Sequence, residues 1–368
     1  MNATKAWTPN ELRRLRSQAI KWFQAHGRDL PWRRTNDPFA IWVSEIMLQQ
    51  TQVATVIPYY SRFLKSFPTV DQLAAATLDE VYQHWAGLGY YRRARQMHMA
   101  AKQIVNEHAG QFPTDLEGVR SLPGIGRYTA GAILSFSSDQ RQPIVEANTQ
   151  RLYARLLHLQ ADTGTAESQA RLWEFAERIL PSKRGSGQTN QALMEIGSQI
   201  CLPKCPVCDR CPLKNLCPTQ EHGTHARVPA PKKKKIYTEL REAALVIQDR
   251  KNRVLMRRCS EQERWAGLWD FPRFDITNTA SAKDIRSTLQ AAFEERFGCP
   301  VAIGDSMHEI KHAVTRYRIT LSSYEAQLDV KRWPARFKDI ETQWASPQTV
   351  AQLPLCSSGK RLWQWLQE

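Results

Sequence analysis

Residues 122–130 read LPGIGRYTA. Gly124 and Gly126 flank an apolar Ile125, so the backbone can turn tightly there with no Cβ in the way. The pattern that follows, through TAGAILSF, is helical, and the start of a helix offers free backbone N–H groups to an anion. Another helical pattern, RRARQMHMAAKQIVNEH, lies upstream. A glycine turn between two helices can hold a phosphate of nucleic acid; an ordinary helix–helix turn is the alternative reading.

The charge balance favours the first. Among 368 residues, 51 Lys and Arg face 36 Asp and Glu, a net +15 that suits a polyanionic partner. Apolar content of 42% is ordinary for a globular chain. No apolar run approaches the ~18 residues of a spanning helix, and MNATKAWTPNEL lacks a signal-peptide core. The expectation is a cytoplasmic protein, nucleoid-associated if bacterial, with no membrane partner.

From Thr8 to Cys217 helical patterns follow one another. Thr8-Pro9-Asn10-Glu11 has the form of a capping box, and Asp37-Pro38 opens FAIWVSEIMLQQTQVATVI in the same way. LDEVYQHWAGL and TQRLYARLLHL supply further helices, and sustained alternation is absent, so this part reads as all-α. PTQEHGTHARVPAPKKKKIYTEL then combines Pro, Gly and four consecutive Lys with no apolar period, a linker composition. Beyond it AALVIQD, RVLMRRC, YRITLSSYEAQL and ETQWAS read as strands, and SAKDIRSTLQAAFEERFG as a helix ending at Gly298. The expected division is 1–217 all-α with a cysteine loop at 201–217, a basic linker over 218–238, and an α+β domain over 239–368.

Three features carry chemistry. Cys201, Cys208, Cys211 and Cys217 form C-x6-C-x2-C-x5-C, which suits zinc or an iron–sulfur cluster, with Cys205 a surplus thiol. Glu45 sits in IWVSEIML, apolar all round, where desolvation would raise its pKa toward that of a general acid. A buried Glu paired with Arg33 or Arg34 is the ordinary alternative. Glu146, in QPIVEANTQRL, stands between an apolar run and a helix start, and on its own would read as a solvated loop acid.

Together the blocks LPWRR, WVSEIMLQQTQVATVIPYY, GLGYYRRAR, LPGIGRYTAGAI, NQALMEIGSQIC and the four-cysteine loop resemble the adenine DNA glycosylase (MutY) family of the helix-hairpin-helix glycosylase superfamily. The resemblance spans most of residues 30–217. It implies one 4Fe-4S cluster on the four cysteines and flipping of an adenine mispaired with 8-oxoguanine or guanine out of duplex DNA, followed by cleavage of its N-glycosidic bond. Glu45 matches the family's catalytic acid, and Glu146 with Asn148 the position of its second carboxylate. Tyr128 stands where endonuclease III-type enzymes carry a Schiff-base lysine, which implies a monofunctional enzyme. Gly124 and Gly126 match the phosphate-gripping turn, and Gln50, Tyr90, Arg33 and Gln191 match further DNA-contacting positions. A monomer is expected.

Two departures stand out. The family's V-D-G-N is Val145-Glu146-Ala147-Asn148 here, with one more methylene on the acid and a Cβ on the next residue. The C-terminal region, through GLWDFP, resembles the family's MutT/Nudix-like domain. It retains Glu294 and Glu295 without the rest of the metal-binding box, and Val314-Thr315-Arg316 replaces the family's Phe-Ser-His loop. Thr315 and Arg316 are therefore the candidates for lesion recognition. The alternatives are a bifunctional glycosylase/lyase and a non-catalytic DNA-damage binder on the same fold.

Overall fold

Thr8 starts the first helix as its spacing predicts. The Glu11 N–H donates to Thr8 Oγ1 at 3.3 Å and the Thr8 N–H donates to Glu11 Oε2 at 2.9 Å, so two helix-end donors are satisfied reciprocally. The computed structural model describes residues 5–231, 236–279, 281–328 and 340–368, which leaves Lys232–Lys235 of the linker reading outside the described residues. The chain divides into two units, Met1–Ala76 with Arg93–Lys233, and Thr77–Arg92 with Lys234–Glu368.

The helices run α1 (Pro9–His26), α2 (Pro38–Leu48), α3 (Val53–Ser66), α4 (Val70–Ala75), α5 (Leu78–Trp85) and α6 (Arg92–His108). They continue as α7 (Leu116–Ser121), α8 (Arg127–Ser138), α9 (Ala147–Leu157), α10 (Ala166–Ile179), α11 (Ser186–Gln199) and the short α12 (Pro218–Glu221). Apart from α5, these build the first unit. One core gathers Leu12, Leu15 and Ala19 of α1 against α9, α10 and α11, with Tyr153, Phe175 and Leu193 inside.

The long apolar run after Asp37 is two helices rather than one. Asp37 caps α2, its carboxylate accepting from the N–H groups of Phe39 and Ala40, and every residue from Phe39 to Met47 is buried. The run breaks at Gln49, and Gln50 takes a left-handed φ of 57°. Buried Arg93 holds the break, its Nη1 donating to the carbonyls of Ile46, Met47 and Gln49 at 2.8, 2.9 and 2.5 Å. A cation at a helix C-terminus also favours the dipole. Residues 49–52 thus form a turn that apolar periodicity does not reveal.

The second unit draws one segment from within the helical region. The Asp79 carboxylate of α5 pairs with Arg258 at 2.5 Å, and the Tyr82 hydroxyl donates to the Ala266 carbonyl at 3.4 Å. The strands are β1 (Thr238–Ile247), β2 (Val254–Arg258), β3 (Trp269–Asp270), β4 (Arg273–Asp275), β5 (Val301–Val314), β6 (Tyr317–Leu328) and β7 (Thr342–Ala345), with α13 (Ala282–Phe297), α14 (Pro347–Gln352) and α15 (Ser357–Trp365). One sheet has the order β4-β1-β6-β5, β1 and β6 being parallel; the other is β3-β2-β7. Leu289, Phe293 and Phe297 of α13 pack with Leu245, Ile247 and Ala326 of the sheet. Strand β5 is not evident in the sequence, because GDS interrupts its alternation; register shifts between Ile303, Ser306 and His308 absorb that interruption.

Helix α11 approaches α8 closely. Asp139, just past α8, accepts from the N–H groups of Gly185 and Gly187 at 2.7 and 2.8 Å. A Cβ on Gly187 would lie 2.2 Å from the Ser135 carbonyl oxygen, backbone that cannot swing aside. Gly187→Ala is expected to destabilise this unit by roughly 1–3 kcal/mol or more, seen as a lower urea midpoint. An unchanged midpoint would mean that the two helices are not held this close.

Candidate active site

Three elements meet at one cavity of about 690 Å³, within the size range of ligand pockets. Helix α2 contributes Glu45, the start of α8 contributes Tyr128, and the start of α9 contributes Glu146 and Asn148. Arg33, Gln50 and Gln191 also line it. Seven residues singled out from the sequence are therefore brought to one wall system.

Glu45 is 3% exposed. Desolvation pushes its carboxyl up to about 7, with the nearby Glu146 adding to the rise and the Tyr128 hydroxyl opposing it. That hydroxyl donates to Glu45 Oε2 at 2.5 Å. Neither Arg33 nor Arg34 is its ion-pair partner. Arg34 pairs with Asp29, while Arg33 Nη2 and Arg28 Nε donate to Glu195 at 2.8 and 2.7 Å. Burial alone would raise Glu195, but the hydrogen bonds from Arg28 and Arg33 outweigh it and hold it down to about 2. The same cavity thus holds one buried acid kept ionised by cations and another with no comparable support. Glu195 lies four residues beyond Gln191 on one helical face, a spacing that could have pointed to it.

Glu146 is not a solvated loop acid. It is the N-cap of α9: its Oε2 accepts from the Asn148 N–H and its Oε1 from the Thr149 N–H, each at 2.8 Å. The Glu146 N–H donates in return to Thr149 Oγ1 at 2.8 Å. The longer side chain is drawn back over its own helix end, which absorbs the extra methylene. Burial raises its pKa, while those two N–H groups, Arg151 and Asn148 pull toward the anion without cancelling the rise. Arg151, which sequence reasoning missed, links this corner to the cysteine loop. Its Nη2 donates to Asn148 Oδ1 and the Gly197 carbonyl at 2.9 and 2.7 Å, and its Nε to the Cys201 carbonyl at 2.6 Å.

The glycine turn joins α8 to α7, a short helix lying between it and the upstream helical pattern named from the sequence. Gly124 has φ 80°, and a Cβ there would meet Gln96 at 2.9 Å. Gly126 is the N-cap of α8, and a Cβ on it would meet nothing within 4 Å. Tyr90 belongs to the other unit and is 56% exposed, so it is not a core aromatic. Thr315 and Arg316 form the two-residue turn between β5 and β6, with Val314 opposite Tyr317. Thr315 has φ 56°, a strained conformation for a β-branched residue, and Arg316 Nη2 donates to the Tyr317 hydroxyl at 2.8 Å.

Cys201, Cys208, Cys211 and Cys217 line a second cavity with Arg155 and His225, and none is in a disulfide. Burial, then the neighbouring sulfurs, push Cys211 up to about 12 and Cys217 up to about 11, so these thiols need a cationic centre to ionise. Among the described residues no three His, Cys, Asp or Glu groups are placed to hold a metal ion at one point. The four thiols line that one cavity and could hold a metal centre whose positive charge offsets their burial. Cys205 is exposed and does not line that cavity.

Fold and site define a helix-hairpin-helix base-excision glycosylase. The HhH-GPD superfamily of base excision DNA repair proteins matches residues 43–178, and a NUDIX domain matches 243–365. An adenine DNA glycosylase of Buchnera aphidicola subsp. Schizaphis graminum is 38% identical over 70% of this chain and 74% of its own length. The human adenine DNA glycosylase is 42% identical over 56% of this chain and 39% of its own. The chain thus spans about two fifths of the human relative's length. A thermostable thymine-DNA glycosylase superimposes with a TM-score of 0.52 at 27% identity, over 58% of this chain and 98% of that one. Endonuclease III trapped covalently on DNA shares the fold, with a TM-score of 0.51 at 21% identity over 59% and 99% of the two chains. The chain belongs to the adenine DNA glycosylase family.

A pH profile tests the Tyr128–Glu45 contact. A step that needs the Glu45 proton is lost as pH rises through its pKa, so such a step is expected to weaken above about pH 7 in a single-turnover base-excision assay. The Tyr128 hydroxyl stabilises ionised Glu45, so Tyr128→Phe raises that pKa and moves the falling limb to higher pH. A limb that stays put or moves lower would remove Glu45 as the titrating acid.

Proposed function

We propose that this chain excises adenine mispaired with 8-oxoguanine or guanine from duplex DNA, by base flipping and hydrolysis of the N-glycosidic bond, without cutting the strand. The observation that carries the reading is the hydrogen bond of Tyr128 to a desolvated Glu45 across a cavity that also presents Glu146. A stacked base cannot reach a carboxyl so deeply enclosed, which makes flipping a requirement.

Protonated Glu45 gives its proton to a ring nitrogen of the flipped adenine. The bond from the base to the sugar carbon then breaks, and its electron pair leaves with the base. The sugar becomes oxocarbenium-like, and the Glu146 carboxylate, anchored by two N–H groups at a helix start, stabilises that charge. Water adds to the sugar carbon and its proton passes to a carboxylate. Tyr128 has no amine to form a Schiff base, which supports the monofunctional reading. Gly126 has no internal steric reason to lack a Cβ; the approach of a phosphate would supply one. Cys201, Cys208, Cys211 and Cys217 hold one 4Fe-4S cluster, which when bound fixes the 201–217 loop rather than donating electrons to the reaction. Lys204, Arg210 and Lys214 of that loop suit a phosphate backbone.

Glu146→Gln is expected to lower the single-turnover rate by on the order of a hundredfold or more, while Glu146→Asp stays within roughly tenfold, because the cap geometry can be kept with the shorter acid. A Gln variant near the wild-type rate would remove Glu146 from the chemistry, and a wild-type chain without any excision would revive the non-catalytic alternative. Strand cleavage or a borohydride-trapped adduct would replace the monofunctional reading.

The strained Thr315-Arg316 turn is the part of this reading that concerns the opposite base. Adenine is expected to leave faster opposite 8-oxoguanine than opposite guanine, and Thr315→Ala to narrow the gap. Equal wild-type rates on the two duplexes would show that this turn does not select the lesion.

A further inference from the structure

His225 lies beyond the last of the four cysteines, in a segment without regular structure, and the chemistry above makes no use of it. Its Nε2 stands 3.2 Å from Cys208 Sγ, and its ring lines the cavity that the four thiols surround. The residue before it is pinned. The Thr224 N–H donates to the Thr219 carbonyl at 3.0 Å, the Thr224 carbonyl accepts from Arg227 and Val228 at 3.0 and 3.1 Å, and Thr224 Oγ1 bonds His158 Nε2 at 3.0 Å. The imidazole is therefore set against the sulfur by a braced backbone. Elsewhere on the cavity wall Arg155 Nη1 donates to Cys201 Sγ at 3.2 Å, so two of the four sulfurs have a protein nitrogen at hydrogen-bond distance.

We infer that His225 donates an N–H···S hydrogen bond to Cys208 when the cysteines carry their cluster, and so sets the cluster's reduction potential and shields that corner from oxidation. The inference rests on the cluster reading above. A neutral imidazole with its proton on Nε2 is a donor to sulfur, and its ring lines the cavity beside that atom. Donors to ligating sulfurs stabilise the form with more electrons, which raises the potential of the one-electron couple. A ring nitrogen beside a sulfur that is itself a ligand also leaves the four-thiolate set intact, so His225 is a positioning residue and not a ligand.

The test uses the full chain, purified without air and assayed for iron and acid-labile sulfide. His225→Phe keeps a ring and removes the donor; His225→Gln restores an N–H. In the Phe variant the midpoint potential measured by voltammetry is expected to shift negative, and the visible absorbance to bleach several-fold faster in air, with the Gln variant recovering most of both. Pulsed EPR on the reduced wild-type protein labelled with 15N-histidine is expected to show one weak nitrogen coupling, a readout that does not depend on any variant folding. A Phe variant indistinguishable from wild type, a Gln variant no better than Phe, absence of any coupling, or a coupling strong enough for iron–nitrogen bonding would each overturn the inference. Wild-type protein free of iron and sulfide would overturn the cluster reading as well; a loaded wild type with an unshifted Phe variant would overturn this inference alone.

Discussion

A carboxyl group enclosed by apolar side chains has little water to ionise into, and its charge state is decided by whatever else reaches it. For Glu45 the direct hydrogen-bond donor is the Tyr128 phenol, with the charges of Glu146 and Arg33 acting on it from further off. Much of the first unit is arranged around this contact. Helix α2 must be buried on all sides to keep water out, and α8 must begin where the glycine turn ends so that its first turn carries Tyr128 inward. Toward its other end α8 packs on α11 closely enough to exclude a single methyl group.

The three acids of the cavity show how environment divides labour among identical side chains. Glu195 has two guanidinium groups and stays ionised. Glu146 is raised by burial, and a helix start and Arg151 offset only part of that rise. Glu45 has a single neutral donor and is pushed up to about 7. Three identical side chains are thus set at different proton affinities by their surroundings rather than by residue type.

Helix starts with Ser, Thr or Asp before Pro or an acid were legible, because local caps depend on a few neighbouring residues. The buried character of Glu45 was legible from its apolar surroundings, and the glycine turn from its two glycines. Three things were not. The break at Gln49–Gln52 is made by Arg93, more than forty positions away, so no local period marks it. Strand β5 hides behind an irregular register. The tie of α5 to the C-terminal unit depends on Asp79 and Tyr82 finding partners distant in sequence. Glu146 sits between these cases: its position beside a helix start was visible, but that its side chain curls back to cap the helix follows only from geometry.

Arg93 also bears on how the cavity meets a ligand. By holding three carbonyls at the end of α2, it clamps residues 49–52 from behind, and its Nη2 reaches Thr51 Oγ1 at 3.2 Å. A loop of amides without that clamp would lose conformational freedom each time it met DNA, and affinity would fall by that loss. Here the ordering of the loop is completed when the chain folds. Gln50, in its left-handed conformation, is thus a stiff part of the cavity lining whose shape is set before any ligand arrives.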